Sequence, residues 1–191
     1  MTKARLHPAL LEFRGAMGDM LFRKRNGQVY VSIKPGQSTS EPTPAQVAHR
    51  ERFGEAVAYG KSVMADADLR AQYEQVAKEK DTPVFALTVA DFLNPPTIKE
   101  VDSSAYHGHV NDIIKIKASD DFELVSVRVV INTNSGATII ENGEALETAS
   151  GSGLWLYTAM VAVPTGTELN ISAIATDHPG GTAVVSQAKT L

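Results

Sequence analysis

Ile113-Ile114-Lys115-Ile116-Lys117-Ala118 and Val125-Ser126-Val127-Arg128-Val129-Val130-Ile131 alternate with a period of two. Ile114, Ile116 and Ala118 share one face against Lys115 and Lys117, and Val125, Val127, Val129 and Ile131 share another. Successive side chains of a strand point to opposite sides of a sheet, so each run reads as a half-buried strand. Working outward, the same pattern predicts seven strands, at 97–103, 112–119, 124–132, 137–146, 154–163, 168–176 and 182–190. Short strands at this spacing, separated by turn residues, predict a β-sandwich. In the fifth strand Trp155, Tyr157 and Ala159 oppose Leu154, Leu156 and Met160, and the alternation does not choose which set faces inward.

Upstream of Pro95-Pro96 the period is helical. Thr43-Pro44 is a helix start, a capping threonine before a proline whose missing N–H costs nothing at that position. Phe53, Ala56, Val57, Gly60, Val63 and Met64 then mark a buried stripe, with His49, Arg50, Arg52, Glu55 and Lys61 opposite. A second helix is expected from Asp66 or Asp68 to Lys80, with Leu69, Tyr73 and Val76 inward, and a third over 84–93. The double proline sets the expected domain boundary: a hairpin arm and three-helix module over 1–94, and the sandwich over 97–191.

The chain begins with a hairpin. Residues 20–25 and 28–33 flank Asn26-Gly27, a dipeptide suited to the positive φ angles of a two-residue turn. The implied register sets Phe22 opposite Val31 and Arg23 opposite Tyr30. One face then holds Phe22, Val29 and Val31, with Lys24 near the turn; the other holds Leu21, Arg23, Arg25 and Tyr30. Gly15–Gly18 reads as a bend that lets residues 10–13 add a third strand, and residues 37–42 form a polar linker. A lone hairpin is marginal in water, so this one needs a partner surface.

The segment 110–191 resembles bacterial immunoglobulin-like or fibronectin-type domains in three places. These are Ser119-Asp120-Asp121 after an early strand, the alternating valines at 125–129, and Ile171-Ser172-Ala173-Ile174-Ala175-Thr176-Asp177 before a glycine turn. That resemblance implies an immunoglobulin-like topology for the seven-stranded β-sandwich; with the N-terminal β-hairpin and helical module before it, the chain is read as α+β. Gly18-Asp19-Met20-Leu21-Phe22-Arg23, Arg25-Asn26-Gly27, Lys34-Pro35 and Pro44-Ala45-Gln46 resemble uncharacterised bacterial and phage-like proteins. That second resemblance carries no catalytic residue.

The 191 residues include no cysteine, which excludes disulfides, thiolate metal sites and cysteine nucleophiles. No apolar run approaches the roughly 20 residues of a membrane span. No apolar core follows the basic N-terminus, so no signal peptide is expected and the protein is read as cytoplasmic or released within an assembly. His107-Gly108-His109 has two imidazoles but no third ligand nearby, and Asp120, Asp121 and Asp177 at loop edges could meet as oxygen ligands for calcium. Neither makes a firm site, so no metal and no cofactor are assigned. No nucleophile elbow, P-loop or dinucleotide fingerprint occurs, and the chain is read as non-enzymatic.

Charge divides unevenly, with net +5 over 1–64 and net −9 over 65–191. The expected function is structural: self-association into an oligomer or filament through the hairpin, with the sandwich as body or decoration. Phe22, Val29, Tyr30 and Val31 are the expected docking strand, and Arg23, Lys24 and Arg25 its charge contacts. Another protein is a further partner class, and nucleic acid, bound by Arg23, Lys24 and Arg25, is the alternative.

Overall fold

The structure, a computed structural model, describes residues 14–25, 27–36, 41–134 and 138–191. It divides into two compact units, residues 1–44 and 45–191.

The first unit is a three-stranded antiparallel sheet in the order β1 (Gly15–Met17), β2 (Met20–Arg25), β3 (Gln28–Ile33). The hairpin register is the expected one, with Phe22 opposite Val31 and Arg23 opposite Tyr30. Asn26 itself lies outside the described residues, and Gly27 has the positive φ of 75° that such a turn requires. The bend is tighter than the sequence implies: Gly15–Met17 is itself a strand, and the reversal is left to Gly18-Asp19. The expected strand at 10–13 lies outside the described residues, as does most of the linker.

The second unit joins three helices to eight strands. The helices are α1 (Pro44–Ala65), α2 (Ala67–Glu79) and α3 (Val84–Leu93). Asp66 caps α2 by accepting the N–H groups of Asp68 and Leu69 at 3.0 and 3.1 Å, which ends α1 and starts α2 within two residues. The buried stripe of α1 is narrower than its periodicity suggests. Ala56, Gly60 and Val63 are buried, whereas Phe53 is 47% exposed and every residue from Pro44 to Glu55 is open. Only the C-terminal half of α1 packs. There Gly60 lets α3 approach, because a Cβ would stand 2.7 Å from Thr88 Oγ1 and 2.9 Å from Phe85 Cε2.

The strands are β4 (Thr97–Asp102), β5 (Ile113–Ser119), β6 (Leu124–Thr133), β7 (Ile139–Glu144), β8 (Leu146–Glu147), β9 (Leu154–Thr158), β10 (Glu168–Asp177) and β11 (Thr182–Thr190). They form two antiparallel sheets, β4-β5-β9-β8 and β11-β10-β6-β7, around one core. Both contribute alternate residues: Ile114, Ile116 and Ala118 from one, Val127, Val129, Ile131, Leu169 and Ile171 from the other. Trp155, Tyr157 and Ala159 are the inward set of β9, and Met160 is exposed. Val125, counted with the valine face, is instead exposed at the start of β6.

The chain is thus α+β with a β-sandwich, but the sandwich has eight strands where seven were expected. The stretch expected as one strand at 137–146 is cut at Ala145. There the chain leaves β7 in one sheet and enters β8 in the other, with Ala145 buried and its N–H bonded to Val127 O at 2.7 Å. A buried alanine has room to cross the core layer and keeps its backbone donor satisfied, so alternation runs through a change of sheet unmarked. No helix among the described residues is long and apolar enough to cross a membrane.

Candidate interface and the buried carboxylates

The N-terminal sheet divides the residues expected to dock. Phe22 and Val29 are buried, Tyr30 and Val31 are half-buried, and Arg23 and Lys24 are exposed. Arg25 pairs with Gln28 beside the turn. Pairing places Met17 beside Met20 and Met20 beside Ile33, one residue from each strand in a single row. These three are 48%, 44% and 80% exposed. The open apolar surface of this sheet is therefore at the end away from Gly27, not at the Phe22–Val31 centre. Sequence reasoning missed Met17 because it was assigned to a bend; its spacing from Met20 across Gly18-Asp19 is the signal that could have found it.

In the second unit the loop between β5 and β6 grips the helices with three consecutive residues. Asn94 Nδ2 donates to Asp121 Oδ2 at 2.6 Å, and Lys80 donates to the Asp121 carbonyl. The Phe122 ring stacks on Tyr73, centroids 3.7 Å apart. Asp120 lies within hydrogen-bond reach of Asp91, a fully buried residue of α3. Tyr73 donates its hydroxyl to Asp91 Oδ2, and the Tyr59 and Tyr73 hydroxyls are 2.9 Å apart. Burial pushes the Asp91 carboxyl up to about 8; the Tyr73 hydrogen bond opposes this, and Asp120 and Asp177 add to it. Asp177, also buried, has its carboxyl raised by burial although Oδ1 accepts the Gly181 N–H at 2.5 Å. Gly181 is required there, since a Cβ would stand 2.4 Å from Asp177 Oδ2.

Asp120, Asp121 and Asp177, weighed as calcium ligands, therefore divide. Asp120 faces Asp91, Asp121 is used by Asn94, and Asp177 turns onto its own glycine turn. Among the described residues no group of three or more His, Asp or Glu side chains is arranged to hold a metal ion. His107 and His109 present their backbone N–H groups to Asp112 Oδ2 at 2.7 and 2.8 Å, and these bonds hold the Asp112 carboxyl below its usual range. The pair shapes a turn around that carboxylate.

At the opposite side of the sandwich Glu141 is buried on β7. It accepts the Tyr157 hydroxyl at 2.5 Å and the N–H groups of Met160 and Val161 at 3.0 and 2.9 Å. Burial and that carboxylate push the Tyr157 hydroxyl up.

Compared with known proteins, the chain matches no family model, no curated protein and no solved structure.

Proposed function

We propose that the protein is a non-enzymatic assembly protein that self-associates through its N-terminal sheet, with the sandwich as body. The observation that carries this reading is the Met17–Met20–Ile33 row, three large apolar side chains left open side by side in a unit of its own. Contiguous apolar surface on a small sheet costs solubility unless another surface covers it. Strand β3 ends the sheet among the described residues, so its outer backbone groups are placed for strand addition. The charge split favours a second copy as the occupant, basic end against acidic body.

We also infer that the sandwich is immunoglobulin-like. The order β4-β5-β9-β8 over β11-β10-β6-β7 corresponds to strands A-B-E-D over G-F-C-C′ of that architecture, which supports the inference.

The test is particle size by light scattering and negative-stain microscopy, for the full chain and for a variant carrying Met17→Ser, Met20→Ser and Ile33→Ser. Large regular particles from the full chain and monomers from the variant are expected. A monomeric full chain at all concentrations overturns the reading. Exposure of Arg23 and Lys24 favours nucleic acid as the second reading. In that case binding to duplex or single strands falls steeply as salt rises.

A further inference from the structure

Asp91 Oδ1 and both carboxylate oxygens of Asp120 are buried and receive no donor among the described residues. The Asp120 carboxyl lies within hydrogen-bond reach of Asp91, and Phe122, two residues on, stacks on Tyr73, whose hydroxyl donates to Asp91. Two neighbouring carboxylates in a water-poor site repel one another, whereas a proton on one lets it donate to the other. We propose that Asp91 keeps a proton and donates it in a hydrogen bond to Asp120, and that loss of this proton releases α3 and the helices bound to it from the β5–β6 loop.

The surroundings support this from every side. Tyr59 comes from α1 and Tyr73 from α2, both neutral donors, and burial pushes both hydroxyls above their ordinary range. Asp177 comes from the end of β10 as a further carboxyl. His178, beside it, stands 5.2 Å from the Phe122 ring and 6.5 Å from Tyr73. The nearby ammonium of Lys80 is held by the Asp121 carbonyl. Against the carboxyls of Asp91, Asp120 and Asp177 that set places one ammonium, that of Lys80. The upward displacement of Asp91 agrees with the geometry. A group whose folded pKa is raised stabilises fully below its unfolded value near 3.8, and that contribution is lost as pH climbs to about 8.

The device is local. Asp120, Asp121 and Phe122 are consecutive, so repulsion at the first displaces the two residues that hold Asn94, Lys80 and Tyr73. The core strands share none of these contacts.

Hydrogen exchange by mass spectrometry on the full chain, corrected for intrinsic rates, tests this at pH 5.5 and 8.5. For the wild-type protein, protection of residues 84–93 is expected to fall at least tenfold relative to β5 and β6. Asp120→Asn supplies an amide donor to an ionised Asp91 in place of that proton, so protection there is expected to change less than twofold. Asp91→Asn is expected to behave alike; because it alters a fully buried position, Asp120→Asn is the deciding variant. Equal protection of the wild-type helix at both pH values overturns the proposal. So does an equal fall in Asp120→Asn, or a fall shared equally by the core strands.

Discussion

The Tyr157 hydroxyl on β9 reaches Glu141 on β7, 2.5 Å away, and so joins the two sheets of the sandwich by a buried hydrogen bond. The same carboxylate collects the N–H groups of Met160 and Val161, holding the turn after β9 against the neighbouring sheet. Removing it in Glu141→Ala strands the buried Tyr157 hydroxyl, at about 1–3 kcal/mol, and leaves two part-buried N–H groups without their acceptor, so a loss of at least about 2 kcal/mol is expected. Glu141→Gln keeps acceptors for some of them and is expected to lose about half as much. Urea unfolding followed by the fluorescence of Trp155, the only tryptophan, measures both.

Two glycines of α1 are expected to respond with opposite signs. A Cβ at Gly54 meets nothing within 4 Å, so Gly54→Ala gains helix propensity and stabilises by about 0.5–1 kcal/mol. At Gly60 the same change drives a methyl into Thr88 and Phe85 and is expected to cost about 1–3 kcal/mol despite the better propensity. Thermal unfolding of the two variants side by side checks the pair.

Tyr73→Phe removes the hydroxyl that donates to Asp91 and the contact with Tyr59. It is expected to destabilise the second unit by about 1–3 kcal/mol at neutral pH. The Tyr73 hydrogen bond is the influence that lowers the Asp91 carboxyl, so its loss raises that carboxyl further. The proton is then held to higher pH, and the alkaline loss of stability moves upward. Unfolding midpoints between pH 5 and 9 show the displacement as a shifted inflection.

Phe22→Ala probes the N-terminal sheet. Phe22 is buried, and an aromatic-to-alanine change at a buried position costs about 3–5 kcal/mol, more than a small sheet can spare. Brief trypsin treatment is expected to cut this variant after Arg23 and Lys24 while a fragment from about residue 45 onward resists. Equal resistance of Phe22→Ala and wild type contradicts the assignment of Phe22 to a core.

Much of the fold was legible because period-two alternation survives wherever one face of a strand meets the core. Ile114, Ile116 and Ala118 on β5 are all buried, as expected, between exposed lysines. Helix α3 matched its expected bounds because prolines bracket it, and α2 because Asp66 caps it. Asp91 was not legible. Leu87, Thr88 and Asp91 share the buried face of an otherwise apolar helix, and polar residues there signal a buried network, but the partner, Asp120, is set by how the helix meets the loop. In the hairpin the register was legible from Asn26-Gly27, but the alternation could not separate Phe22 and Val29, which are buried, from Met20 and Ile33, which are open.

The crossing at Ala145 has a mechanical consequence. Because one continuous segment runs from β7 into β8, the two layers are sewn together by the backbone itself as well as by side-chain packing. Pulling the layers apart must first unzip β7 from β6 or β8 from β9, and β8, two residues long, is the stitch that tears first.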